Sequence, residues 1–258
     1  MKTSQIKAKI LLNKKLTGNF WHLEFESKII AKNALPGQFV NIKVDAGTEP
    51  LLRRPISIHN VKGRAVKLLY EVLGPGTQIL STRKSGELLD LIGPLGNGFN
   101  YLKLAKPTVG KNILIAGGLG VAPLVFLAQK LKLNAPIILI GARTKSQILC
   151  VQEFKTLGAK VELATDDGSV GFKGRVTDLL KNVLAQVKPQ GIFSCGPRPM
   201  LKTVAQMAHE NKINAQLSLE SHMACGIGAC LGCVVPTQDG DKRVCKDGPV
   251  FLSQELLW

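Results

Sequence analysis

The sequence predicts a mixed β and α/β fold in three parts: an N-terminal β-barrel, a Rossmann-like parallel sheet, and a small C-terminal part organised by cysteines. Three observations predict it. Residues 1–105 carry short alternating or apolar runs separated by Gly, Pro and Asn turns. Residues 106–215 alternate strand-like and helix-like patterns. Residues 216–258 are glycine-rich and hold four of the six cysteines.

In the first part the runs are "FWHLEFES" (20–27), "GQFVNIKV" (37–44), "RRPISIHN" (53–60), "AVKLLYEV" (65–72) and "GELLDLIG" (86–93). Strands at that spacing suit a small barrel. The pattern changes after Lys106-Pro107. There "KNILIAGG" (111–118) is an apolar strand, "VAPLVFLAQKLKL" (121–133) has a helical period, and "PIILIGAR" (136–143) and "GIFSCGP" (191–197) are further strands. No internal repeat or low-complexity tract interrupts the chain.

The 258 residues, 45% hydrophobic and 20% charged, suffice to bury a core without cross-links. The N-terminal segment lacks the apolar core of a secretory signal. The longest uncharged apolar stretch, Ile113 to Ala128, is broken by glycines and a proline and is short for a membrane span. A cytoplasmic location is expected, where clustered thiols more often bind metal than form disulfides. The net charge of +16 raises the possibility of nucleic-acid binding, but the lysines stand singly, and aromatic residues for base stacking are few. Neither a nucleic-acid nor a membrane partner is expected.

The cysteine segment carries the sharpest chemistry. Cys225-x4-Cys230-x2-Cys233, followed by Cys245, is the spacing of plant-type ferredoxins, in which four thiolates hold a 2Fe-2S cluster. Gly226, Gly228 and Gly232 let the loop wrap a cluster and turn N–H groups toward sulfur. A structural zinc site and a disulfide pair are the alternatives, although zinc sites more often use well-separated C-x2-C pairs. A Rieske site would need two histidines, and His222 alone cannot supply them.

The second motif is a strand running into Gly117, Gly118 and Gly120 and then a helix with Pro123 in its first turn. Such a turn lets a pyrophosphate approach the helix N-terminus. It departs from the dinucleotide fingerprint: Pro123 stands at the third glycine position, and the next strand ends at Arg143 rather than at an acidic residue. A plain packing turn is the alternative.

Taken together, "RRPISI" (53–58), "GPGTQIL" (74–80), "GGLGVAP" (117–123), "CGPRPM" (195–200) and the cysteine loop occur in the order of the ferredoxin-NADP reductase family, over nearly the whole chain. Within it the sequence most closely resembles the family of electron-transfer subunits of dihydroorotate dehydrogenase B. The resemblance implies an FAD-binding barrel, an NAD-binding α/β domain and a 2Fe-2S domain. It also implies an FMN-containing catalytic dihydroorotate dehydrogenase subunit as partner, in a heterotetramer of two plus two. Electrons would pass from that FMN through the cluster and FAD to NAD, in pyrimidine biosynthesis.

FAD would be bound by Arg54, Pro55, Ile56 and Ser57, by Leu69, Tyr70 and Glu71, and by Gly76 and Thr77 at a helix start. NAD would meet Gly117, Gly118 and Gly120 and, beside the nicotinamide, Cys195, Gly196 and Pro197. Cys225, Cys230, Cys233 and Cys245 would be the cluster ligands. The segment "ATDDGSVGFKG" (164–174) matches a family segment near the nucleotide, but Asp166 and Asp167 can equally form a turn. NAD is expected over NADP despite Arg143.

No triad order, paired carboxylates or metal-binding histidine pair points to hydrolysis. No catalytic base for dihydroorotate is visible, so that step is expected in the partner chain. The competing readings are the same fold serving a ferredoxin, sulfide dehydrogenase or hydrogenase partner, and a zinc-stabilised nucleic-acid-binding or regulatory protein. The apolar tail "GPVFLSQELLW" (248–258) either meets the partner or folds back on its own core.

Overall fold

The computed structural model describes residues 3–102, 110–131 and 135–258. The expected division between 105 and 106, the Lys106-Pro107 boundary and the end of the helix expected over 121–133 lie outside the described residues.

The first strand, β1 (Ser4–Thr17), was not among the five runs read from the sequence. It is followed by β2 (Phe20–Glu26), helix α1 (Lys28–Asn33), β3 (Phe39–Lys43), β4 (Arg54–Lys62), β5 (Ala65–Glu71), helix α2 (Pro75–Thr82) and β6 (Leu88–Leu95). These six strands close an antiparallel barrel in the order β1-β2-β5-β4-β3-β6. β1 supplies the closure by pairing with β2 on one side and β6 on the other, which removes the exposed edges. Inward-facing Ile10, Leu23, Phe25, Ile42, Ile58, Leu68, Leu89 and Leu91 are fully buried. Each contributes about 1.5–3 kcal/mol of hydrophobic stabilisation.

The second sheet is built from β7 (Ile113–Gly117), helix α3 (Val121–Lys130), β8 (Ile137–Ala142), α4 (Val151–Thr156), β9 (Lys160–Thr165), the short β10 (Phe172–Lys173), α5 (Val176–Leu184), β11 (Ile192–Cys195), α6 (Arg198–Glu210) and β12 (Ala215–Ser218). Its order is β10-β9-β8-β7-β11-β12-β15, where β15 (Val250–Leu252) returns from the C-terminus and pairs antiparallel with β12. The other neighbours are parallel. The strand order reverses between β7 and β11. That switch point is where open α/β sheets form ligand crevices.

β12 runs through residues 215–218, across the division expected between 215 and 216. The cysteine part that follows contains one hairpin, β13 (Val234–Thr237) with β14 (Gly240–Arg243). The C-terminal tail folds back: Phe251 and Leu256 are buried, and Trp258 packs against the sheet core. Phe126 of α3 belongs to the barrel core, so the helix after the glycine turn also joins the two halves.

Candidate functional site: a cleft between barrel, sheet and cysteine loop

The barrel offers one wall of a cavity of about 240 Å³, and Pro55, Ile56 and Ser57 of β4 with Leu69, Tyr70 and Glu71 of β5 line it. Tyr70 is held by its hydroxyl, which donates to Asn13 Oδ1 at 2.9 Å, and by stacking on Trp21. Thr77 of α2 reaches the same cavity. Its hydroxyl accepts from the backbone N–H of Leu73 and of Gly74, which fixes the turn leading into the helix.

The two adjacent arginines have separate jobs. Arg53 is spent on structure: one of its nitrogens lies 2.8 Å from Asp90 Oδ1 and another donates to the Asp90 carbonyl. Arg54 donates to the Leu52 carbonyl and lies directly on Gly76, where a Cβ would collide with its guanidinium. A cation therefore sits against the N-terminal turn of α2, a combination suited to a phosphate group.

The opposite wall comes from the switch point. Leu119, Ala122 and Pro123 face the barrel-side cavity together with Cys195. Gly117 and Gly118, with Pro197, face a second cavity of about 540 Å³, which Arg143, Asp166 and Arg175 also line. The two turns therefore form a partition with a cavity on each side. Gly120 is required there, because a Cβ would run into the carbonyl oxygen of Cys195. Gly196 lies between the two cavities, with Gly117 against it. Burial, with help from Glu220, pushes the Cys195 thiol up, so it stays protonated. Asp167 accepts from the Ser169 N–H and hydroxyl and forms a turn, whereas Asp166 lines the second cavity.

The third wall is the segment leading to the cysteines: Ser218, Leu219, Glu220, Ser221 and Met223 line the barrel-side cavity. None was among the site residues read from the sequence. Their only signal was position, between a strand end and the first cysteine. Burial and the facing Glu71 raise the Glu220 carboxyl. A neighbouring groove, lined by Leu52, Arg54, Pro55, Met223, Ala224 and Gly232 among others, continues toward the cysteine loop.

The cysteine segment holds four of the chain's six cysteines, Cys225, Cys230, Cys233 and Cys245, all as free thiols. The four expected ligands lie together, with Cys225 beside Cys230, and Cys245 beside Cys233 and within electrostatic reach of Cys225. Backbone N–H groups of Ile227 and Ala229 lie 3.5 and 3.3 Å from Cys225 Sγ, that of Gly232 lies 3.5 Å from Cys230 Sγ, and that of Cys245 lies 3.4 Å from Cys233 Sγ. Burial acts to raise the Cys225 thiol, but N–H donation by Ile227, Cys230 and Ala229 brings it down to about 6. Gly228, at φ +88°, allows the tight path, and its carbonyl accepts from Arg243 at 3.0 Å. Four gathered thiols with N–H groups aimed at sulfur fit a two-iron cluster, which Cys225, Cys230, Cys233 and Cys245 would hold. The loop is tied to the barrel by Asn41, fully buried on β3, whose amide donates to the Cys225 carbonyl at 3.3 Å. His222 is exposed beside the loop.

Comparison with known proteins gives this geometry a family. Residues 220–257 match the model of the iron-sulfur cluster binding domain of dihydroorotate dehydrogenase B, and residues 114–206 match an oxidoreductase NAD-binding domain. Among solved structures, a chain of an NADH-dependent reduced ferredoxin-NADP oxidoreductase, described for flavin-based electron bifurcation, superposes with a TM-score of 0.85 at 31% identity. The match covers 97% of this chain and 90% of that one. A Neisseria gonorrhoeae ferredoxin NADP+ reductase with bound FAD and NADP shares the fold at 17% identity and a TM-score of 0.67, over 80% of this chain and 91% of that one. Two curated relatives carry the name dihydroorotate dehydrogenase B (NAD(+)), electron transfer subunit. The one from Desulforamulus reducens is 42% identical over 97% of both chains, and the one from Clostridium acetobutylicum is 38% identical over 100% of this chain and 99% of that one. With its partition between two cavities, its four gathered cysteines and these near full-length relatives, the chain belongs to the family of dihydroorotate dehydrogenase B electron transfer subunits.

Proposed function

We propose that this chain is the electron-transfer subunit of an NAD-linked dihydroorotate dehydrogenase, taking electrons from the FMN of a catalytic partner chain and delivering them to NAD. The observation that carries the reading is a short covalent path. Residues 218–221 and Met223 line the barrel-side cavity, and Cys225 opens the cysteine loop two residues later. When bound, the 2Fe-2S cluster carries single electrons and FAD gathers two for hydride transfer to NAD.

The chain's own residues hold and separate these groups. Arg54 and the first turn of α2, at Gly76 and Thr77, hold the FAD pyrophosphate. Along the barrel wall, residues 55–57 would hold the flavin and residues 69–71 the adenine side of FAD. Gly117, Gly118, Gly120, Cys195, Gly196 and Pro197 would hold NAD at the partition, and Asp166, which lines the second cavity, would be within reach of a ribose hydroxyl there. Cys225, Cys230, Cys233 and Cys245 hold the iron. The parts divide as barrel (1–105), nucleotide unit (expected over 106–215 and extended to Ser218 by β12) and the cluster unit that follows to 258, with β15 tying the last to the second.

The partner meets the chain at the cysteine loop, in a complex of two plus two. Exposed Ile227 and Leu231 flank exposed Cys230, and exposed Leu51 and Leu52 line the adjoining groove. An apolar rim around an exposed cluster ligand suits a docked chain. Among the described residues no helix is long and apolar enough to cross a membrane, which accords with work in the cytoplasm.

The isolated holo-chain oxidises NADH with artificial acceptors and does not turn over dihydroorotate. Co-purification from the native host recovers an FMN protein that oxidises dihydroorotate. Recovery of a hydrogenase or a sulfide-oxidising chain in its place refutes the proposal, as does dihydroorotate turnover by this chain alone.

A further inference from the structure

A second cluster of metal-ligating groups lies away from the cysteine loop, where the barrel meets the sheet. His59 stands on β4, two residues beyond Ser57, and is buried. Its Nδ1 lies 2.9 Å from the carbonyl oxygen of Ala122 in α3, and its Nε2 lies 3.0 Å from Glu153 Oε2 in α4. Both neighbours are hydrogen-bond acceptors. A neutral imidazole can donate to only one of them, so the second contact needs a second imidazole proton, a proton on Glu153, or a metal ion in the proton's place. Cys150 completes the group: one ring nitrogen of His59, the Cys150 sulfur and a Glu153 oxygen all lie within 4.8 Å of one another. Cys150 also adopts φ +62°, a left-handed conformation that a non-glycine residue holds only when its surroundings impose it.

We propose that His59, Cys150 and Glu153 bind a zinc-type divalent ion that clamps the barrel to the nucleotide half. The donor set suits it: one imidazole nitrogen, one thiolate and one carboxylate, with water at the fourth position through the half-exposed Glu153. The Ala122 carbonyl takes the Nδ1 proton and leaves the Nε2 lone pair for the metal, a common second partner of ligating histidines. One thiolate and one carboxylate neutralise a dication. Without a cation, burial and the Glu153 carboxylate push the Cys150 thiol up. Metal binding releases that thiol proton, and any second imidazole proton, to solvent.

His22 borders the site, its ring centroid 6.4 Å from that of His59. Its Nε2 lies 3.3 Å from Glu24 without hydrogen-bond geometry. Ala122, which accepts from His59, also lines the barrel-side cavity. The clamp therefore holds the flavin-facing end of α3 against β4.

The test uses the chain purified with its flavin and iron, equilibrated with micromolar zinc and gel-filtered. Zinc and iron are counted by mass spectrometry, and zinc-edge X-ray absorption reads the ligands. About one zinc per chain is expected, with one sulfur and otherwise nitrogen or oxygen neighbours. His59→Gln and Cys150→Ser are each expected to lower bound zinc about tenfold or more at unchanged iron and flavin. Zinc no higher than in a protein-free blank overturns the proposal, as does equal zinc in wild type and variants. A shell of several sulfurs, which would put zinc on the iron ligands, also overturns it. The wild-type absorption spectrum decides alone if a variant misfolds.

Discussion

The barrel wall and the cysteine loop hold their groups by different means. The barrel wall is made of paired strands whose inner faces are fully buried, so its side chains are positioned by packing that exists without any ligand. The loop from Cys225 to Cys233 contains no strand or helix, and Ile227, Ala229, Cys230, Leu231 and Gly232 are all exposed. Its shape is set by N–H groups bonded to sulfur, by Arg243 at one point and by Asn41 at another. A site of the first kind persists when empty. One of the second kind depends on its metal for order.

The largest effect that separates the two is loss of a thiolate. Cys225→Ser, Cys230→Ser, Cys233→Ser and Cys245→Ser are each expected to lower iron content about tenfold or more, because the harder oxygen suits iron–sulfide poorly. Flavin content and NADH oxidation with artificial acceptors stay near wild type. Cys150→Ser keeps its iron. Iron analysis beside the flavin spectrum checks both halves, and simultaneous loss of flavin would show that the barrel wall also depends on the loop.

Arg54→Ala acts on the other side. Removing a charged donor to a phosphate costs about 1.5–3 kcal/mol, or about 10–100-fold in FAD affinity. Iron content and melting temperature are expected to change little, since Arg54 supports only a nearby carbonyl while Arg53 carries the ion pair with Asp90. Arg54→Lys restores charge but not the planar fork and recovers only part of the affinity. Equilibrium FAD titration measures it.

How far these regions could be read from sequence follows the same division. The cysteines lie within 21 positions, and their spacing names the cluster before any fold is known. The "RRPISI" and "GPGTQIL" segments are also local. β1 was not read as a strand although Lys7 and Lys9 alternate with its inward residues from Ile6 to Ile10, because Leu11, Leu12, Lys14 and Lys15 break that alternation in its second half. The partition was half legible: both glycine turns were visible, but not that Cys195 and Pro197 face opposite cavities. The lining by residues 218–221 and the meeting of His59 with Glu153 join segments far apart in sequence. No local pattern encodes such contacts.

Among the described residues Asn41 is the one direct side-chain tie from the β3 wall to the loop, and its Oδ1 is buried without a hydrogen-bond partner there. Asn41→Ala removes a single hydrogen bond, worth about 0.5–1.5 kcal/mol, and opens a small gap. Iron loading is expected to remain near wild type while the cluster bleaches a few-fold faster in air or chelator. A bleaching rate equal to wild type would mean that the loop is held by its thiolates and Arg243 alone.

The smallest effect concerns Glu220, which stands where the two regions meet. Burial and the facing Glu71 raise its carboxyl above the ordinary value of 4.5 in the folded chain. The folded state therefore holds this proton more tightly than the unfolded state, and the associated stability is full below pH 4.5 and is lost as pH rises through the folded value. Glu220→Gln removes the dependence, so the variant should melt slightly above wild type at pH 8, and the gap should close by pH 4. The residue is open to the cavity, where solvent screens the repulsion, which keeps the gain small. Melting curves of both proteins from pH 4 to 8, at fixed flavin loading, test this. If the variant melted lower at pH 8 than at pH 4 relative to wild type, the carboxylate would be a net support of the segment that joins the flavin cavity to the cluster loop.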